Sequence, residues 1–270
     1  MKYVPKAVRE GINVSEEHPL VEAGTLVLGL SAIVAVITLV LIFLVDLAIV
    51  FVSPKSEVEL FSDWTPDDLV TLDTGDPRSD SVRSLLEKLV RQWPDSPYRF
   101  RIEVSDSEAL NAMAFPGGLI VVTSGLLDSV ESENELAFVM GHELGHFQQR
   151  DHLRILGRGA VLGILFSVLS SNSSAAGLGL SVADMTAQGF SRKQESKADE
   201  FGLELVYGLY GHVGESARFF ERMIEADDGS PFLIDYLSTH PATVERVDHL
   251  RDTAERQGWP LVGEPVRLAW

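Results

Sequence analysis

The sequence predicts a mainly helical α+β chain: an apolar N-terminal helix, then a domain with a small antiparallel sheet and a metal site held between two helices. Three observations predict it. Residues 26–45 are predominantly apolar and carry no charge. Residues 99–123 read as strands around a Pro116-Gly117-Gly118 turn. His142-Glu143-Leu144-Gly145-His146 spells H-E-x-x-H inside a helix-periodic run. Two histidines four apart project from one helix face, roughly 6 Å from each other.

Composition narrows the function. A chain of 270 residues accommodates one ordinary domain and some extra elements. It has no cysteine, which removes disulfides and thiolate metal sites. The formal net charge is -18, most of it beyond residue 52. So acidic a surface repels phosphate backbones, which excludes nucleic acid as a partner.

Residues 1–24 form an N-terminal tail and residues 25–52 a transmembrane anchor, because about 20 apolar residues cross a bilayer as a helix. The run is longer than the apolar part of a signal peptide, and no A-x-A site follows it. Membrane lipid is the expected partner of this segment. Lys2, Lys6 and Arg9 precede it and only Lys55 follows closely. The positive-inside rule then puts the rest of a single-pass chain on the extracytoplasmic, periplasmic side.

Residues 53–78, rich in Ser, Asp, Pro and Thr, read as a linker, and the catalytic domain occupies 79–270. Val82, Leu85, Leu86, Leu89, Val90 and Trp93 form one helical stripe, which Pro94 and Pro97 end. Residues 99–104 alternate as a half-buried strand does. The apolar runs 110–115 and 119–123 make a hairpin whose turn the glycines supply. Ser132 and Glu135 have capping-box spacing, and Leu136, Val139, Met140 and Leu144 mark the buried side of the helix they open. Further helices fall at about 194–209, 213–226 and 242–256. Residues 159–183 are a second uncharged stretch, strongly apolar at first and then rich in Ser, Gly and Ala. Ten strongly apolar residues are too few to span, so this reads as a lid or a membrane-dipping loop.

The chemistry centres on H-E-x-x-H. His142 and His146 suit one metal ion, and Glu143 suits a general base acting on its water. A catalytic zinc takes three protein ligands and keeps one position open. His152 follows His146 by six, the metzincin spacing, but Gln149 stands where those enzymes carry glycine. If the helix continues, His152 rotates off the ligand face. The other candidate is Glu195 on a second helix. Asp199 shares its face and could accept the free N–H of a ligating histidine. Spacing alone does not choose between Glu195 as a ligand and a solvated charged face.

Five ordered motifs together resemble the gluzincin family of membrane-associated zinc metallopeptidases that includes HtpX, the CAAX prenyl endopeptidases and BepA-like proteins. They are Asn111-Ala112-Met113-Ala114-Phe115-Pro116-Gly117-Gly118, residues 120–127, the helix from Glu133 through His146, Glu195-Ser196-Lys197-Ala198-Asp199, and His240-Pro241 followed by Arg246. The resemblance covers most of residues 80–255 and implies a zincin-type catalytic domain with one Zn2+ per chain. It implies that His142, His146 and Glu195 bind zinc and that Glu143 is the base. It makes Asn111 and His240 candidates for positioning substrate or stabilising an oxyanion. The chain departs from many relatives in showing one clear span, and in having Arg150-Asp151-His152 where Arg-His is usual. Both departures count against membrane-embedded substrates and CAAX processing.

The expected function is a membrane-anchored zinc metalloendopeptidase acting in protein quality control. Its substrates would be extended or misfolded proteins, paired as a strand to residues 119–123. The alternative is a zinc-bound membrane adaptor or holdase with little turnover. The intact Glu143 argues against that reading.

Overall fold

A computed structural model describes residues 18–61, 75–170, 189–225, 240–241 and 243–270. The apolar run forms α1 (Pro19–Phe51), 33 residues long. It is long and apolar enough to cross a membrane, and only 6% of its most apolar window is buried. A core helix of the same composition would be mostly covered. The expected linker is not featureless: α2 (Pro54–Phe61) lies within it. The Ser53 hydroxyl accepts from the Ser56 N–H at 3.0 Å and starts this helix, with Pro54 at its first position. Residues 62–74 of that linker fall outside the described residues.

The predicted amphipathic helix is α3 (Ser79–Val90), which buries Val82, Leu85, Leu86 and Leu89. It packs on a three-stranded sheet of β1 (Arg101–Ser105), β2 (Ala112–Phe115) and β3 (Leu119–Thr123), in the order β1-β3-β2. The expected hairpin is β2–β3, antiparallel with Ala112 opposite Val122 and Phe115 opposite Leu119. Gly117 and Gly118 turn it at φ 81° and 85°, a backbone region that side chains with a Cβ resist. The sheet is mixed, however, because β1 runs parallel to β3. The chain leaves β1, skips one strand position and returns as β2, and β3 fills the gap. Strand β3 therefore has a partner on each side and is buried throughout. It offers no edge to a peptide, contrary to the expectation for residues 119–123. The edge nearest the metal helix belongs to β2, which packs against α5 (Glu133–Gln149).

After α4 (Ser124–Ser129), α5 is the centre of the core: every residue from 133 to 147 is buried. Ser132 caps it, its hydroxyl accepting from the Glu135 N–H at 3.2 Å. The reciprocal half of the capping box is absent. The Glu135 carboxylate accepts instead from the Glu131 N–H at 3.2 Å and pairs with Arg222 at 2.6 Å. The C-terminal segment closes the same end, with Val266 C=O accepting from the Glu133 N–H at 2.9 Å.

Helix α5 does not continue past Gln149. Arg150 adopts φ 60°, and the chain turns into α6 (Asp151–Ser170). Residues 159–170, expected in a lid or loop, are thus helical, while 171–188 fall outside the described residues. Among the described residues the remaining helices are α7 (Arg192–Tyr210), α8 (Arg218–Glu225) and α9 (Val244–Gln257).

One buried carboxylate ties these parts together. Glu57 of α2 is 1% exposed. It accepts from Tyr98 Oη at 2.9 Å, Gly117 N–H at 3.3 Å, Arg150 Nη2 at 3.1 Å and His152 Nε2 at 2.6 Å. Burial alone would raise the Glu57 carboxyl, but His152, Tyr98 and Gly117 outweigh it and hold the pKa below the ordinary 4.5. The ionised form therefore stabilises the fold fully above pH 4.5, and that contribution is lost as pH falls through the lower, folded pKa. Glu57→Gln should destabilise the domain by roughly 3 kcal/mol at pH 7, because it strands Arg150 beside a neutral group. The gap from the parent should narrow below pH 4.5, as read by thermal melts. Equal melting points at pH 7 would show that the carboxylate holds nothing together.

Candidate metal centre

Two helices approach closely enough to share one cluster of side chains. Helix α7 lies across α5 where both are nearly bare. A Cβ added to Gly145 would sit 2.6 Å from Ala198 Cα, and one added to Gly141 would sit 3.1 Å from Gly202 Cα. The contact brings the imidazoles of α5 against the carboxylates of α7. A capping box sets the start of α7, with the Ser191 hydroxyl accepting from the Gln194 N–H and the Gln194 side chain accepting from Ser191.

Ligating atoms of His142, His146, Glu195 and His240 all lie within 4.8 Å of one another, and all four residues are buried. The two Nε2 atoms are 3.1 Å apart. Glu195 Oε2 is 3.6 Å from His142 Nε2, and its Oε1 is 3.5 Å from His146 Nε2. A tetrahedral ion with bonds near 2.1 Å separates its ligands by about 3.4 Å. The three spacings straddle that value, so this donor set fits zinc. His240 Nδ1 borders this group, 3.1 Å from both His142 Nε2 and Glu195 Oε1.

Outer partners orient these side chains. His142 Nδ1 faces Asp199 Oδ1 at 2.8 Å, and His146 Nδ1 faces Asp151 Oδ2 at 3.2 Å. With both Nδ1 atoms donating outward, the Nε2 lone pairs point at each other, an arrangement that needs a cation between them. Arg246 of α9 grips Asp199 with two bonds of 2.9 and 2.6 Å and pairs with Glu195 at 2.7 Å. Its guanidinium also lies over the Phe220 ring. Phe190 stacks on His146 with centroids 3.7 Å apart.

Glu143 stands beside the cluster. Both its oxygens are buried without a hydrogen-bond partner, and His240 Nε2 is 3.6 Å away. Burial pushes its pKa up to about 7, against the pull of His146, His142 and the Ala114 backbone in β2. Burial holds the His142 pKa down. It would do the same to His146, but Asp151 and Glu195 outweigh it and raise that pKa to about 9. Two imidazolium ions 3.1 Å apart repel, so the two rings disfavour being charged together. Glu195 lies well below the usual carboxylate range, because His240, His142 and His146 overcome its burial.

The structure thus gathers His142, Glu143, His146, Glu195, Asp199 and His240. Asn111 is elsewhere in the contact scheme. Its backbone bonds Thr123, and its side-chain oxygen is buried without a hydrogen-bond partner. His152 bonds Glu57 and does not join the cluster. Sequence reasoning missed Asp151 and Phe190. Asp151 left a signal only in the motif, where Arg150-Asp151-His152 stands in place of the usual Arg-His.

The model for peptidase family M48 matches residues 77–254, about two thirds of the chain. The chain belongs to peptidase family M48. Similar proteins include the mitochondrial metalloendopeptidase OMA1 of Danio rerio, 30% identical over 195 residues that cover 66% of this chain and 41% of that one. Metalloprotease LoiP of Escherichia coli is 31% identical over 161 residues, covering 55% of this chain and 60% of its own. The beta-barrel assembly-enhancing protease of Escherichia coli is 27% identical over 188 residues, covering 65% and 38%. This chain spans less than two thirds of the length of each of these relatives.

The M48 domain's site depends on a contact no ligand makes. Gly145→Val would force α5 and α7 apart, at about 1–3 kcal/mol of overpacking. It should lower bound metal well below one per chain, measured by elemental analysis of folded protein, although every ligand is kept. Full metal occupancy would show that the helix spacing is not what builds the site.

Proposed function

We propose that this chain is a membrane-anchored zinc metalloendopeptidase. The observation that carries the reading is the near-tetrahedral grouping of His142, His146 and Glu195 beside a buried carboxylate, Glu143, that no side chain hydrogen-bonds. A bound zinc ion supplies a Lewis acid and an acidified water. Glu143 takes the water's proton on a carboxylate oxygen and passes it to the leaving amine. Asp199 and Asp151 keep His142 and His146 in the tautomer that turns Nε2 inward. His240 Nε2, 3.6 Å from Glu143, is the proposed donor to the substrate carbonyl.

An extended peptide pairs with the outer edge of β2, which among the described residues has a strand partner on one side, and whose Ala114 backbone borders Glu143. Main-chain pairing of this kind tolerates varied side chains, which suits extended or misfolded protein substrates. The name of the beta-barrel assembly-enhancing protease fits that substrate class. Helix α1 is the anchor, and the charge bias of Lys2, Lys6 and Arg9 puts the domain on the extracytoplasmic side.

Glu143→Gln should keep its metal and lose casein or peptide cleavage ~100-fold or more. A chelator should abolish cleavage and added zinc restore it. Undiminished hydrolysis by Glu143→Gln would sink the assigned role. Stoichiometric zinc in the parent with no cleavage would favour the adaptor reading. For the ligand set, Glu195→Ala should lose zinc while His152→Ala retains it. The reverse result would overturn the assignment.

A further inference from the structure

Helix α6 turns back from the metal centre and packs antiparallel along α1. The register is fixed at three levels. Arg150 Nη1 bonds the carbonyls of Ile49 and Val52 at the end of α1. Gly157 packs on Val45, where an added Cβ would lie 2.4 Å from Val45 Cγ1. Arg158 pairs with Asp46 at 2.6 Å. The shielded residues of α1 continue this seam as one stripe: Val34, Thr38, Ile42, Val45, Asp46 and Ile49. The last turns of α6 therefore lie beside the middle of α1.

Where α1 can sit in a bilayer is tightly constrained. Glu22 and Asp46 bound its uncharged stretch, residues 23–45. A helix needs about 20 of these residues to cross. Val34, Thr38 and Ile42 are then inside the hydrocarbon wherever the helix slides, and so is whatever packs on them. After Arg158, α6 has no charged residue, and residues 159–170 extend about 18 Å, over half of a ~30 Å core. Leu162 and Ile164 point outward, 44% and 55% exposed. The hydroxyls of Thr38 and Ser167 bond back to carbonyls of their own helices, at 2.8 and 2.9 Å, as groups surrounded by lipid must.

The geometry points to α6 as a second intramembrane helix, inserted antiparallel to α1 with lipid chains against Leu162 and Ile164. The Asp46–Arg158 pair marks the level at which both helices leave the hydrocarbon. Asp151, whose carboxylate orients His146, starts α6 seven residues before Arg158, about 10 Å along the axis. A headgroup layer is roughly 5–8 Å deep. The metal centre thus stands at the lipid surface. On the peptidase reading, it would cut bonds close to the membrane.

The chain has no cysteine, so single cysteines can carry spin labels. Labels at Leu162→Cys and Ile164→Cys are compared with Leu39→Cys on α1 and Tyr207→Cys on α7. The full chain is placed in phosphatidylcholine–phosphatidylglycerol vesicles, and collisions with oxygen and with a water-soluble nickel chelate are measured. The expected oxygen-to-nickel ratio at 162 and 164 matches that at 39 and exceeds that at 207 several-fold. A ratio at 162 and 164 equal to that at 207 overturns the inference, as does a water-like ratio at 39. Dipolar broadening between labels, with neither reagent gaining access, would mean that a second copy covers α6 and would equally overturn it. The readout does not involve cleavage, so it stands or falls separately from the peptidase assignment.

Discussion

Everything at the centre depends on how closely α5 and α7 approach. Helices with ordinary side chains at their contact stay 8–10 Å apart. Here the contact is made by Gly141, Gly145, Ala198 and Gly202, and almost nothing separates the two backbones. That spacing lets Glu195, a short side chain on one helix, share a corner with two imidazoles on the other. The glycine inside H-E-x-x-H is therefore as much part of the site as the histidines. It carries no chemistry and sets the distance at which chemistry is possible.

Around that contact, charge is arranged to favour a cation. Asp151, Glu195 and Asp199 converge on the imidazoles, and Arg246 partly balances them from outside. The guanidinium holds two carboxylates of α7 with one planar fork, which fixes their direction as well as their charge. Glu143 is the exception in this well-bonded neighbourhood. Burying a carboxylate that no side chain hydrogen-bonds is unfavourable, and this marks Glu143 as the candidate proton carrier beside the cluster.

The turn at Arg150 joins this centre to the apolar helix α1. A non-glycine residue in the left-handed region carries a strain of order 1 kcal/mol or more. The Arg150 guanidinium offsets it by binding the last carbonyls of α1 and the buried Glu57. The next residue, Asp151, orients His146. Within three residues, the chain ends the metal helix, caps the apolar helix, braces a ligand and, through His152, anchors α2. The same turn sends α6 back along α1 instead of onward into solvent.

The long apolar helix, the hairpin, the helix carrying His142 and His146, and the later helices were legible in the sequence because each rests on local periodicity, capping and turn chemistry. The pair His142 and His146 was legible for the same reason, since helical spacing alone puts both on one face. Glu195 needed the ordered motifs, because its distance from them is set by packing, not by sequence separation. Other features were decided only in three dimensions. The parallel pairing of β1 with β3 depends on which strand fills a gap. The half-formed capping box at Ser132 reflects Arg222, 87 residues away, competing for Glu135. The bonding of Glu57 to His152, and of His146 to Asp151, depends on a backbone turn at an arginine that no propensity predicts. Local sequence determines which elements form and which faces they offer. Only the folded chain decides which faces meet, because that choice is made by close packing and by pairing every buried charge.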